Sequence, residues 1–154
     1  MTDIALLWDQ QLGGCDFGLF DGQLATDDGL DTAILISLFT DARARADDAI
    51  PDGDDPRGWW GDAFTAAGDE TGSRLWLLTR EKQTTAVLER ARSFAREALA
   101  WLIEDGVART VDVTVEAQPG DRLAIGVEIT RPTGPARLRF DYIWNRMEGR
   151  AYAV

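Results

Sequence analysis

The sequence predicts an α+β fold, in which a helical middle packs on a C-terminal antiparallel sheet. Three observations support this prediction. First, apolar residues recur at helical spacing over residues 86–105. Second, apolar and polar residues alternate over residues 110–144. Third, an Asp-Gly dipeptide near the N-terminus is typical of a hairpin turn. Because the long helix needs the sheet to cover its apolar stripe, we expect one domain over residues 1–154.

Residues 3–26 are predicted to form a small N-terminal β element. Residues 4–8, IALLW, are a short apolar run that is typical of a strand. Further on, Asp21 and Gly22 lie between two short apolar pieces. This dipeptide favours a tight hairpin, because both central residues of a type I′ turn need a positive φ.

Residues 27–106 are predicted to be mainly helical and to begin with a helix over about 31–45. In this stretch Leu30, Ile34 and Leu38 recur at helical spacing. Asp28 or Asp31 is expected to accept the free amides of the first turn.

Two further helices are predicted before the sheet. Ser73 is expected to cap a short helix that runs to about residue 82. The longest helix is expected over about 86–105, with Thr84 or Thr85 as its N-cap. Gly106 is the expected left-handed residue at its end.

Residues 108–146 are predicted to form a three-stranded antiparallel meander. Three runs of alternating apolar and polar residues are separated by the turn sequences QPGD and PTGP. The tail, residues 147–154, gives no signal for an element.

Composition points to a globular protein with an asymmetric charge. Of its 154 residues, 45% are hydrophobic, and there is a single cysteine, which excludes an intrachain disulfide. Residues 1–62 hold 14 acids and three arginines, so they carry all of the net charge of −11. This balance disfavours binding to nucleic acid or to anionic membranes. The negative charge of residues 1–62 either keeps the protein soluble or forms a face that docks on a basic partner.

The common catalytic routes are poorly supported, so no catalytic, cofactor-binding or metal-ligating residue is predicted. The chain has no histidine, a single cysteine and no phosphate-binding loop. Two alternatives stay open. The DGDD sequence at 52–55 resembles part of a calcium loop, although Pro56 and Arg57 fall where ligands or glycine would be. Asp54, Asp55 and Asp62 could instead act as paired carboxylates of a hydrolase.

The acidic tryptophan loop, residues 47–62, is the stretch with the most unusual composition. It places two adjacent tryptophans among prolines, glycines and acids. Adjacent residues of an extended segment point to opposite sides, so Trp59 and Trp60 are expected to face different environments. Either both indoles pin the loop on the protein's own core, or one pins it and the other anchors a partner. Trp76 either belongs to the same cluster or is ordinary helix core. The candidates for a loop lock or partner interface are Arg57, Trp59, Trp60, Asp62, Arg74 and Trp76.

Four segments carry a resemblance to a known family. They are LDTAILISLFTDARA, PDGDDPRGWWGD, GSRLWLLTREK and ALAWLIEDGVARTVDVTVE. Their order resembles the baseplate wedge protein family of Mu-like contractile-tail phages, over about residues 3–146. The layout is more distantly similar to the T-even phage wedge protein at the start of the tail sheath. Those distant relatives carry a Glu-Pro-Arg element after the long helix, whereas residues 104–109 here read EDGVAR, without proline.

The resemblance implies a non-enzymatic structural subunit that binds no cofactor. It would be made in the bacterial cytoplasm and would reside, in several copies, in the virion tail baseplate. Its implied partners are other baseplate wedge proteins, with the tail sheath as a further candidate, and neither nucleic acid nor membrane is expected to bind. Because an open sheet edge can accept a strand, we expect an edge of the meander to pair with a neighbour.

Overall fold

The computed structural model describes residues 3–9, 14–27, 30–65, 68–133 and 137–154. Small paired strands come first, a helical middle follows, and a four-stranded antiparallel sheet ends the chain, so the α+β prediction is confirmed. In chain order the elements are β1 (Asp3–Ile4), β2 (Leu6–Asp9), β3 (Gly14–Phe17), β4 (Leu19–Phe20), β5 (Gln23–Leu24), β6 (Thr26–Asp27), α1 (Asp31–Phe39), a 3₁₀ helix (Trp60–Phe64), a second 3₁₀ helix (Leu75–Leu78), α2 (Thr85–Ala98), α3 (Trp101–Glu104), β7 (Thr110–Gln118), β8 (Arg122–Thr130), β9 (Arg137–Asn145) and β10 (Arg150–Ala153).

The N-terminal β element consists of three antiparallel strand pairs: β1 with β6, β2 with β3, and β4 with β5. The β4–β5 hairpin turns at Asp21 and Gly22, whose φ angles of 50° and 77° confirm the predicted turn. The prediction of one strand over residues 4–8 is wrong. The run is interrupted at Ala5, whose N–H donates to the carbonyl of Ala25 at 2.9 Å.

Helix α1 ends at Phe39, so the predicted end at residue 45 is wrong. From Thr40 onward the backbone is extended and pairs with a segment distant in sequence. Thr40 accepts from the N–H of Ser73, and Ala42 donates to the carbonyl of Ser73. The neighbouring Gly72 permits this approach, since a Cβ there would lie 2.3 Å from the Thr40 oxygen.

The capping predictions for α1 and for the segment after residue 72 need correction. Asp27, rather than Asp31, accepts the free amide of Thr32 at 3.0 Å, and Asp28 lies outside the described residues. Ser73 does accept from the N–H of Leu75, but only a 3₁₀ helix of four residues follows, not a helix to residue 82.

The predicted long helix is divided into α2 and α3. Its N-cap is confirmed, because the Thr84 hydroxyl accepts from the N–H of Val87. Gly106 has a φ of 70°, which confirms the left-handed end. The predicted long helix is therefore present but bent, with a turn at Leu99 and Ala100 between α2 and α3. The bend leaves Leu99 fully buried and lets the Trp101 indole donate to the hydroxyl of Ser37 on α1 at 3.1 Å.

The C-terminal meander of β7, β8 and β9 is confirmed, with its alternation intact. Val127 on the central strand stands opposite Val113 on one side and Phe140 on the other. The tail adds a strand that the sequence analysis did not predict. Gly149, with a φ of 63°, completes a turn, and β10 then pairs with the outer edge of β9. Among the described strands, β7 therefore lies at one edge of this sheet and pairs only with β8.

The core lies between the inner face of the sheet and the helices. Side chains from α1, the second 3₁₀ helix, α2, α3 and the sheet form one apolar cluster. Tyr142 on β9 is buried in it, and its hydroxyl donates to the carboxylate of Asp31 on α1 at 2.6 Å. Burial, followed by this neighbouring carboxylate, raises the pKa of Tyr142. No helix in the described part of the chain is long and apolar enough to cross a membrane.

Candidate functional site: the acidic tryptophan loop

The base of the acidic tryptophan loop is fastened by Arg74. Its Nη1 donates to both oxygens of Asp48, at 3.0 and 2.9 Å, and its Nη2 donates to Glu97 on α2 at 2.7 Å. The guanidinium also lies 4.5 Å from the centre of the Phe94 ring. The Arg74 and Asp48 side chains are both only 12% exposed, so this pair is better shielded from water than a surface ion pair.

Arg45 adds a second cation to the same cluster. Its side chain pairs with Glu97, and its backbone N–H donates to Asp48 at 2.8 Å. Burial of the Asp48 carboxyl opposes its ionisation. The backbone hydrogen bond from Arg45 and the charge of Arg74 outweigh that effect, so the pKa of Asp48 lies below its usual value.

The far end of the loop is fastened by Arg57, which itself has a φ of 52°. Its Nη1 donates to Asp41 at 2.7 Å, and its guanidinium lies 4.4 Å from the centre of the Trp76 ring. Its N–H donates to the side chain of Asp55 at 2.9 Å. The next residue, Gly58, adopts a φ of 107° beside the backbone of Arg43, a conformation that favours glycine.

Trp76 is a core residue and also the surface on which Arg57 rests. It is 4% exposed, and its Nε1 donates to the carbonyl of Ala42 at 2.8 Å. This agrees with the interpretation of Trp76 as ordinary core, although it lies in a 3₁₀ helix. The two stacked arginines and Trp76 therefore hold the loop.

Trp59, Trp60 and Phe64 point outward and form what we call the aromatic patch. They are 41%, 76% and 82% exposed, respectively, so the expectation that one of the two indoles is buried is wrong. The expectation assumed an extended backbone, but a 3₁₀ helix begins at Trp60 and turns the chain. The Trp59 ring lies across Gly61, where a Cβ would be 2.2 Å from the indole.

Asp62 anchors the patch to the segment that follows. Its Oδ1 accepts from the N–H of Thr71 at 3.1 Å, and its carbonyl accepts from the hydroxyl of Thr65 at 3.0 Å. A groove beside the patch is lined by Asp62, Asp69 and Glu70, together with Arg43. Asp62 thus fixes the backbone that carries the patch.

The described residues offer no group of three or more acids or cysteines placed to hold a metal ion. Two of the carboxylates considered for hydrolysis already accept hydrogen bonds from the backbone. Asp55 accepts from the N–H of Arg57, and Asp62 accepts from the N–H of Thr71. The arrangement suits docking of a partner surface better than general acid–base chemistry.

Arg146 is a structural residue that the sequence analysis missed. It is 1% exposed and donates to the carbonyls of Leu78 and Glu81, at 3.2 and 2.5 Å. It also donates to the carbonyl and the carboxylate of Asp121, at 3.3 and 3.0 Å. No local pattern could have found it, because its acceptors come from distant segments.

The family of the chain follows from comparison with known proteins. The family model described as "Phage protein GP46" matches residues 30–136. The chain belongs to the phage protein GP46 family.

Two GP46 relatives resemble it over most of their lengths. "Baseplate protein gp46" of Escherichia phage Mu is 45% identical over 135 residues, which cover 87% of this chain and 90% of the relative. "Mu-like prophage FluMu protein gp46" of Haemophilus influenzae is 39% identical over 139 residues, which cover 90% and 94%. The suspected Mu-like baseplate family is therefore confirmed. The GP46 match includes the acidic tryptophan loop and its fastening arginines.

Proposed function

We propose that this chain is a non-enzymatic structural subunit of the baseplate wedge of a contractile phage tail. The observation that carries the proposal is its 45% identity, over 87% of its length, to a protein named as a baseplate protein. It would be present in several copies and contact larger wedge proteins and the first ring of the sheath. The outward aromatic patch and the open β7 edge supply two surfaces for such contacts.

The baseplate role is tested by deleting the gene and complementing it. Without the chain, lysates should hold no sheathed tails by electron microscopy, and an epitope-tagged copy should restore them. Antibody against the tag should then label the baseplate end of the particle. Normal, infectious tails in the deletion strain would refute the proposal.

The β7 edge is proposed as the place where a neighbour adds a strand. Hydrogen–deuterium exchange of the free subunit and of assembled baseplates tests this. Residues 110–118 should exchange more slowly after assembly, because new backbone hydrogen bonds protect them. Residues 122–130 are the internal control, since β8 is already paired on both sides. Equal exchange of residues 110–118 in both states would contradict strand addition.

Two other functions considered for the same loop predict different results. A cell-wall hydrolase would turn over peptidoglycan and lose that activity in the Asp55→Asn and Asp62→Asn variants. A calcium-binding module would melt at a higher temperature as calcium is added. The structural proposal expects no turnover and no shift in melting temperature.

A further inference from the structure

The aromatic patch is a continuous apolar surface. The ring centres of Trp59 and Trp60 are 5.6 Å apart, and those of Trp60 and Phe64 are 6.2 Å apart. Large aromatic side chains are normally covered, and at interfaces they are typical anchors. An exposed cluster of three therefore indicates a contact surface.

Local contacts fix the backbone of the patch and the position of the Trp59 ring. The N–H of Asp62 donates to the carbonyl of Trp59 at 3.1 Å, and the Trp59 ring is seated on Gly61. The loop that carries the rings is held by Arg57, which stacks on Trp76, and by Arg74, which stacks on Phe94. A preformed surface lowers the entropic cost of binding.

The surroundings of the patch carry more acids than bases, because the groove beside it is lined by Asp62, Asp69 and Glu70 and by two arginines, Arg43 and Arg57. Residues 41–70 contain nine acids and three arginines. Of these arginines, Arg57 is already paired with Asp41. By contrast, Asp54, Asp69 and Glu70 form no ion pair within the part of the chain that the structure describes. The patch thus combines stacking surfaces with carboxylates that are available to a cation.

We propose that the aromatic patch binds an arginine-bearing segment of a different baseplate protein. Its guanidinium stacks on Trp60, and its remaining N–H groups pair with Asp69 or Glu70. This inference rests on the proposed baseplate function and adds the chemistry of the partner. Arginine fits better than lysine, because a planar guanidinium can stack on an indole and bind a carboxylate bidentately at once.

The chain itself uses this combination twice. Arg57 stacks on Trp76 while it pairs with Asp41, and Arg74 lies over Phe94 while it pairs with Asp48. A second copy of the chain is a poorer occupant, because each copy carries a net charge of −11 and the two would repel.

Site-specific photo-crosslinking in assembled particles tests the proposal. Trp60 is replaced by p-benzoylphenylalanine, and crosslinked peptides are identified by mass spectrometry. The matched control carries the same probe at Met147, which is 68% exposed but lies outside the acidic loop. The probe at position 60 should join a peptide of another protein that contains arginine within a few residues. The control should not yield this product.

Three outcomes overturn the inference: a crosslink to a second copy, one to a peptide without arginine, or none at position 60. If the chain is present in particles but position 60 gives no such product, the inference fails while the baseplate proposal stands. If the chain is absent from particles, the baseplate proposal itself fails.

Binding to the partner so identified supplies an independent measurement. Trp60→Ala should weaken it by about 30-fold, as for an interface hot spot. Glu70→Gln should weaken it about threefold at low salt and have no effect at high salt, as for a rim charge. The Met147→Ala control should bind normally. Unchanged affinity in both Trp60→Ala and Glu70→Gln would refute the assignment.

Discussion

Replacing Arg146 by methionine should be among the most destabilising single changes in this chain. Methionine preserves much of the apolar volume but removes all four hydrogen bonds of the guanidinium. The Leu78 carbonyl is buried, and a buried acceptor left without a donor costs about 1–3 kcal/mol. The carbonyls of Glu81 and Asp121 are partly buried and add smaller amounts. The expected loss is about 3–5 kcal/mol, similar to removing one partner of a buried ion pair.

The matched control is Asp121→Asn. The Asp121 side chain is 55% exposed, so its ion pair with Arg146 should be worth about 0–1 kcal/mol. Asparagine also tolerates the φ of 56° at this position. Denaturant titration followed by circular dichroism measures both variants. A loss in Asp121→Asn equal to that in Arg146→Met would show that the ion pair, rather than the backbone carbonyls, dominates. A loss below about 1 kcal/mol in Arg146→Met would refute the reasoning altogether.

Three further predictions follow from the loop. In the same titration, Trp76→Ala should lower the free energy of unfolding by about 3–5 kcal/mol, because Trp76 is buried. Trp60→Ala should lower it by less than about 0.5 kcal/mol, because Trp60 is exposed, and equal losses would contradict this difference in burial. The lowered pKa of Asp48 contributes stability that is fully present above the unfolded pKa of about 4 and is lost as the pH falls towards the lower folded pKa. The melting temperature should therefore fall less steeply from about pH 7 to 3 in Asp48→Asn than in the unchanged protein. Gly61→Ala should shift the Trp59 indole resonance in NMR spectra, because the new Cβ displaces the ring; an unchanged resonance would contradict the packing.

The parts of the fold that were predicted correctly are those encoded by local patterns. The alternation over β7 to β9, the Thr84 cap and the Asp21-Gly22 turn each depend on residues that are close in sequence. The end of α1 was missed because Thr40 pairs with Ser73, more than 30 positions away. Likewise, β10 forms only because β9 offers it an edge. Tertiary pairing overrode the helical spacing in the first case and created a strand in the second.

The site was predicted only in part. The candidates Arg57 and Arg74 do fasten the acidic tryptophan loop. They could be predicted because arginine can stack on an aromatic ring and pair bidentately with a carboxylate. The orientation of Trp59 and Trp60 was not predictable from alternation, because it depends on where the backbone changes from extended to 3₁₀. Whether the patch meets a neighbour stays a prediction for the crosslinking experiment.

The hydrogen bond between Tyr142 and Asp31 spans 111 positions, and this separation has a consequence for synthesis. Helix α1 cannot be fixed on the sheet until nearly the whole chain has left the ribosome, because contacts of high sequence separation form late. Until then the helical middle lacks its cover and is prone to aggregate. The acidic tryptophan loop lies between these two residues, and its carboxylates repel other nascent chains during that interval. The negative charge of the loop thus acts on the unfinished subunit before any partner is met.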